Sequence, residues 1–191
     1  KYHSYKGTVG KVADNLLNRD FSAIKPFEKI TTDVTQFNVC DEKVYLSPVL
    51  DLFNNEILAH QATPINGSSK PYYHCLDVLK DLAGKKNEEQ TPQVVLHTDQ
   101  GSVYSSQAFR QAHEHYNILR SMSREGTPTD NPIIEALNGW MKEELYLDFG
   151  LAATEDVPLL LDKYVHYFNN RRPAAALGYK SPVQYKTELG F

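Results

Sequence analysis

Cysteine is scarce: the 191 residues hold two, Cys40 and Cys75, far apart and without a CxxC or Cys/His ligand spacing. That excludes a disulfide scaffold and a zinc-finger site, and leaves two buried, reduced thiols as the expectation. Long apolar runs are missing too. The greasiest stretch, Val157 to Leu161, contains a proline and stops at Asp162, far short of the ~20 residues of a membrane span. There are no internal repeats, and the opening Lys1-Tyr2-His3-Ser4 has neither an initiator Met nor an apolar signal core, so a fragment of an intracellular, cytoplasmic protein is expected. Excess positive charge is also lacking. The net charge of −4 argues mildly against a nucleic-acid binder, whose phosphate contacts come mainly from Lys and Arg.

What is present is an ordinary globular composition, 41% hydrophobic and 23% charged, with length for one catalytic or binding domain. The charge is unevenly spread. Residues 1–30 carry six basic and three acidic side chains, residues 161–191 five and two, and the middle holds the acid. Basic ends around an acidic centre suit a carboxylate-rich site flanked by backbone-contacting arms, although mixed solvated faces give the same count.

Residues 1–28 show no sustained period and read as an N-terminal arm or linker, with one short helical turn near Val12 to Leu17. β-branched and aromatic residues then predict three antiparallel strands, Ile30–Val39, Val44–Leu52 and Glu56–Thr63. A helix is expected over 69–83, and Val94-Val95-Leu96 reads as a buried strand paired in parallel. A capped helix from Ser105-Ser106 to Tyr116, a strand over Ile118–Met122 and a Gly/Pro/Thr loop from Arg124 to Pro132, the natural mobile element, follow. Asn131-Pro132 opens a helix to about Phe149 with a favoured cap and first-turn pair, and a last helix spans Thr154 to about Asn170. The order βββαβαβα predicts an α/β, ribonuclease-H-like fold: a mixed five-stranded sheet with helices on both faces. Residues 29–150 would form the core and 151–191 a C-terminal helical extension.

Three acids stand out by position. Asp33 lies inside a strand, Asp99 ends the buried strand, and Glu135 sits in the first turns of a helix. A carboxylate within a strand is costly to bury without a partner, and no Lys or Arg lies within two residues of Asp33. If the first strand and the Val94–Leu96 strand are neighbours, Asp33 and Asp99 converge and the helix brings Glu135 over them. Oxygen-only ligands favour Mg²⁺ or Mn²⁺ over zinc, and two such ions suit in-line phosphoryl displacement. The bland alternative for each acid is a turn, a cap or a surface group. On the Glu135 helix, Ile133, Leu137, Trp140 and Leu147 are expected on the apolar face and Glu135, Gly139, Lys142 and Tyr146 opposite it, with Glu144 out of place on the apolar side. Lys142, two turns beyond Glu135, suits a DNA backbone, or else a solvated face.

These residues resemble the catalytic domain of insertion-sequence transposases of the IS-three group, relatives of retroviral integrases. The resemblance rests on Ile-Thr-Thr-Asp-Val-Thr-Gln-Phe at Ile30–Phe37, His-Thr-Asp-Gln-Gly-Ser at His97–Ser102, Ser-Met-Ser-Arg at Ser121–Arg124 and Asp-Asn-x-x-x-Glu at Asp130–Glu135. It rests also on the 35 residues between Asp99 and Glu135, Lys142 seven beyond the Glu, and Leu-Gly-Tyr-Lys-Ser-Pro at Leu177–Pro182. It implies a Mg-dependent polynucleotidyl transferase, a DDE transposase, with two Mg²⁺ (or Mn²⁺) ions on Asp33, Asp99 and Glu135. The implied activity is DNA cleavage and strand transfer at transposon ends, attacked by water or a DNA 3′-hydroxyl. The partners it implies are terminal inverted repeats and target DNA, with a homodimer or higher oligomer assembled on them. The resemblance also implies an upstream helix-turn-helix region, expected to be missing from this fragment. Two departures are Pro132, where Ala is usual, harmless in a first helical turn, and Ala174, where the family has His. A catalytically silent DNA-binding remnant and a ribonuclease-H-like nuclease without joining activity stay open as alternatives.

Other residues carry weaker signals. His97, two before Asp99, would point to the same side of the strand and support the site from behind, as would Asn131. Gln100 and Gly101 would let DNA approach closely, and Arg124, Arg171 and Arg172 would contact phosphates. His113 and His115, about 200° apart on a helix, cannot share a metal and read as surface residues.

Overall fold

The computed structural model describes residues 12–40, 42–64, 71–85 and 93–191. The strands are β1 (Lys29–Thr32), β2 (Thr35–Val39), β3 (Glu42–Asp51), β4 (Ile57–Pro64), β5 (Val95–Thr98) and β6 (Leu119–Met122). The helices are α1 (Pro71–Lys85), α2 (Gln107–His115), α3 (Pro132–Leu147), α4 (Val157–Asn170) and α5 (Pro182–Glu188). They form one mixed sheet: β3 pairs antiparallel with β1, β2 and β4, and β1, β5 and β6 run parallel. Among the described residues no helix is long and apolar enough to cross a membrane.

The expected first strand is divided into β1 and β2. Both halves pair with β3 in one register, Thr32 opposite Val49 and Thr35 opposite Leu46, so Asp33 falls opposite Pro48. Proline has no N–H to give the ladder, and the strand opens at Asp33-Val34. The remaining boundaries fall within a few residues of the reading, except that α4 starts at Val157, capped by Asp156 accepting from Leu159 N. Of the expected 69–83 helix, residues 69–70 lie outside the described residues. α5 was not anticipated.

The helices cover both faces. On one, Cys75, Val78, Leu79 and Leu82 of α1 and Phe109 of α2 pack with Ile30, Val49 and Leu96. On the other, Ile134, Leu137, Met141 and Leu145 of α3 and Leu161, Tyr164 and Phe168 of α4 pack with Phe37, Leu46 and Leu50. Each such side chain contributes about 1.5–3 kcal/mol by leaving water. α4 is therefore part of the core layer, not an appended extension. Asn169 reinforces it by accepting from Ile57 N and donating to Ile57 O, both at 2.9 Å.

Several readings are corrected. The apolar face of α3 runs through Ile134, Leu137, Met141 and Leu145, while Trp140 and Leu147 are exposed. Glu144 is not misplaced: it faces α4, accepting from the Tyr164 hydroxyl (2.9 Å) and Arg172 Nε (2.7 Å). Cys40 is exposed, and only Cys75 is buried. No helical turn forms near Val12 to Leu17. The described part of the arm is docked instead, with Leu17 buried, Ala13 and Phe27 packed on the core, and Leu16 N donating to Ser121 Oγ at 2.9 Å.

His113 is also no surface residue. It is 2% exposed, edge-on to Phe109, with Nδ1 3.1 Å from Ile118 O. Burial pushes its pKa down to about 4. Because the unfolded imidazole titrates near 6.5, protons bind the unfolded chain first, so this contribution is complete above about pH 6.5 and is lost as pH falls toward 4. Denaturation of wild type and His113→Gln should show a stability difference that shrinks by about 3 kcal/mol between pH 7 and pH 4. A difference independent of pH would contradict this.

Candidate active site

The parallel register sets the site. Thr31 stands opposite His97, and two residues further along both chains Asp33 comes level with Asp99, just past the ends of β1 and β5. Glu135 arrives from the first turn of α3. All three line one cleft of about 430 Å³, together with Gln100, Gly101, Ser123, Asn131 and the loop Arg124–Thr127.

The chain fixes two of these carboxylates with backbone and amide donors. Asp33 accepts from Val34 N at 2.8 Å and from Asn138 Nδ2 at 3.2 Å. Asp99 accepts from Gly101 N at 2.8 Å. Gly101 is a close packing position, since a Cβ there would lie 2.9 Å from Asp99 Oδ1. Asn138 was not singled out from the sequence, although it follows Glu135 by three residues and so shares its side of the helix. It is buried, and its Oδ1 has no hydrogen-bond partner.

Burial pushes the Asp33 carboxyl up to about 6, with the Asp99 and Glu135 charges adding to the rise. Asp99 is open to the cleft by surface exposure, yet the surrounding protein still raises its carboxyl above the ordinary range, against the Gly101 hydrogen bond. Among the described residues none of the three has a Lys or Arg partner. Among the described residues no group of three or more His, Cys, Asp and Glu side chains is arranged so that it could hold a metal ion. The donor set nevertheless fits a hard divalent cation: oxygen ligands only, mutually repelling and uncompensated.

The supporting residues fall as follows. Asn131 lines the cleft at the N-cap position of α3 without a side-chain cap bond; its Oδ1 accepts instead from Thr31 Oγ1 at 2.6 Å. His97 is fully buried, with Nδ1 2.8 Å from Ser121 Oγ, and ties β5 to β6. Gln100 donates to Ser123 O at 3.0 Å on the cleft wall. Arg124 lines the cleft with its side chain on Asp130, so the expected mobile loop is pinned. Lys142 rests 5.9 Å from the centre of the Phe37 ring. Arg171 is exposed at the end of α4. Arg172 is engaged elsewhere, paired to Glu144 and stacked over Trp140 and Phe168. With Ala174 it lines a separate apolar hollow of about 520 Å³.

Two family models, each described as integrase core domain, match residues 23–128 and 116–182. The chain belongs to the integrase core domain family. This integrase core domain is 36% identical over 98% of its length to the putative transposase InsK of insertion sequence element IS150 from Escherichia coli K12, and spans 64% of that protein. It is 38% identical over 98% of its length to a transposase-like protein of Haemophilus influenzae, 84% of which it covers. Among solved structures, the HTLV-2 integrase catalytic core domain in complex with magnesium superposes with a TM-score of 0.64 at 16% identity, over 86% of this chain and 98% of that one. A simian T-cell lymphotropic virus intasome chain gives 0.71 at 18%, over 96% of this chain and 59% of that one. These likenesses establish the fold.

Gly101→Ala tests the packing beneath Asp99. The new methyl group must push the carboxylate aside, so the melting temperature should stay within a few degrees of wild type while any divalent-metal-dependent activity falls at least tenfold. Unchanged activity would show that the Asp99 position is not set by this contact.

Proposed function

We propose that this domain is the catalytic core of a DNA transposase, a Mg-dependent polynucleotidyl transferase that cuts a phosphodiester bond and joins the freed end to a second DNA. The observation that carries this reading is the convergence of Asp33, Asp99 and Glu135, from three separate elements, on one cleft without a cationic partner. The transposase names of the relatives support it.

Asp33, Asp99 and Glu135 would hold Mg²⁺ or Mn²⁺, two ions in the active complex. Ions of this type supply electrostatic stabilisation to the attacking and leaving oxygens of an in-line displacement. The chain's own residues hold the acids in place: Val34 N and Asn138 orient Asp33, Gly101 N orients Asp99, and the buried face of α3 fixes Glu135. In cleavage, water supplies the oxygen that forms the new P–O bond and a 3′-hydroxyl leaves. In joining, that 3′-hydroxyl forms the new P–O bond and displaces a strand of the target, one phosphodiester replacing another. Gln100 and Arg124 on the cleft wall, Lys142 on α3 and Arg171 at the end of α4 are the proposed backbone contacts. The DNA partners would be transposon terminal inverted repeats and target DNA, bound by a homodimer or higher oligomer. The HTLV-2 integrase core is known in dimeric and trimeric forms.

Each of Asp33→Asn, Asp99→Asn and Glu135→Gln should lower strand transfer in Mg²⁺ or Mn²⁺ on the order of 10³-fold or more, since several kcal/mol of transition-state stabilisation is removed. The folded chain should persist, and Mg²⁺ should raise the melting temperature of wild type but not of Asp33→Asn. Full activity in any of the three would refute the assignment. Hydrolysed but never joined products would identify a nuclease, and DNA binding without a Mg²⁺ response a silent remnant.

A further inference from the structure

The best-organised charge cluster outside the acidic trio is centred on Asp130. Its carboxylate is fully buried and accepts five hydrogen bonds. Arg19 Nε (2.9 Å) and Arg124 Nη2 (2.8 Å) meet at Oδ1. Arg124 Nε (2.8 Å), Arg124 N (3.1 Å) and Asn15 Nδ2 (3.1 Å) meet at Oδ2. The pairs Lys29–Asp20, Arg110–Glu114, Arg172–Glu144 and Lys186–Glu56 each match one cation with one acid. Asp130 serves two guanidinium groups, so the cluster itself carries one positive charge in excess, with Glu125 beside Arg124 on the same cleft.

That excess charge is accessible. The Arg19 and Arg124 side chains are 51% and 59% exposed. Arg19 uses only Nε on Asp130, and Arg124 keeps Nη1 unused there, so terminal N–H groups remain for another acceptor. Arg124 lines the acidic cleft. The arm is shaped to deliver Arg19: consecutive left-handed residues, Asn18 at φ 49° and Arg19 at φ 66°, turn the chain between Leu17 O and Asp20 N, which bond at 2.8 Å. Left-handed backbone at a non-glycine residue is strained and is held only where its surroundings demand it. Here buried Leu17 and the ion pair on Asp130 do so.

We propose that Arg19 and Arg124, held side by side on Asp130, form a binding site for a backbone phosphate of DNA next to the acidic cleft. The inference rests on the nucleic-acid reading above and adds to it a residue of the arm. A phosphodiester carries one negative charge, equal to the excess on the cluster, and its two free oxygens match guanidinium N–H donors. An acidic cleft in a chain of net charge −4 repels such a substrate, so cations anchored at its rim would be needed to bring the strand in. Because Asp130 already fixes both side chains, little side-chain freedom is lost on binding.

The test is the salt dependence of binding of the full 191-residue chain to a fluorescently labelled DNA duplex, followed by anisotropy over roughly 50 to 200 mM KCl. Arg19→Gln should reduce the slope of log K against log salt by about 1, and the Arg19→Gln/Arg124→Gln double variant by about the same amount, because the pair holds a single phosphate. Arg19→Lys, which keeps the charge, should retain the wild-type slope. A merely structural arm contact would instead lower the melting temperature of Arg19→Gln and leave the slope untouched, which would overturn the phosphate site alone. A wild-type chain with no salt-dependent binding would overturn the nucleic-acid reading and the site with it.

Discussion

The arrangement depends on the parallel pairing of β1 with β5. A register that sets Thr31 beside His97 forces Asp33 and Asp99 to the same level at the ends of two adjacent strands. One carboxylate there could be solvated; two, with a third on α3, repel each other where water is partly excluded. Burial, and after it the Asp99 and Glu135 charges, lifts the Asp33 carboxyl to about 6, a rise that corresponds to about 3 kcal/mol between its protonation states. Such a cost is a sizeable part of the 5–15 kcal/mol by which a domain is stable. The fold bears it because the surrounding strands and helices are well packed. A dication is the species that would remove the repulsion.

The helix that completes the trio is fixed far from the acids. Ile134, Leu137, Met141 and Leu145 seat α3 on the sheet, and Glu144 joins it to Tyr164 and Arg172 of the α4 end. Tyr146 closes the far end on β2, accepting from Asn38 N and donating to Asn38 O. Glu135 and Asn138 thus project from a rod held along its length, which suits a constellation whose geometry matters to fractions of an ångström. Asn138 spans both halves of the site, covalently tied to the Glu135 helix and hydrogen-bonded to Asp33.

That Asp33, Asp99 and Glu135 line one cleft follows from the strand order, which leaves β1 and β5 as neighbours, and from the start of α3. Helices α1 to α4 were legible, α3 from Asn131-Pro132 although the Asn131 side chain makes no cap bond, while α5 went unread although Ser181 and Pro182 carry the same signal. The phase of α3 was not: apolar side chains at Ile133, Ile134, Leu137, Trp140, Met141, Leu145 and Leu147 wrap much of the circumference, and the choice between Ile133 and Ile134 turns the face by 100°. Only the opposing Phe37, Leu46 and Leu50 surface decides it. The break at Asp33-Val34 needed the β1–β3 register before Pro48 could be placed opposite. His113 is buried because Phe109, one turn earlier on α2, offers an edge and Ile118 O, brought back by the turn between α2 and β6, offers a partner.

The arm and the loop before α3 were read as loose for the same reason, since neither has periodicity and both are rich in turn-forming or polar residues. Beside Leu17, Ala13 and Phe27 on the core, one buried side chain joins the two segments. Asp130 holds Arg124 from the loop and Asn15 and Arg19 from the arm, segments more than 100 residues apart. The Arg19 and Arg124 side chains, themselves half-exposed, are what cover this carboxylate, so Asp130 links the arm to the loop at the surface. Asp130 also lies five residues before Glu135, with Asn131 between them bonded to Thr31 of β1. The arm thus reaches, through Asp130 and the Asn131–Thr31 bond, the segment that opens α3 beside the third carboxylate.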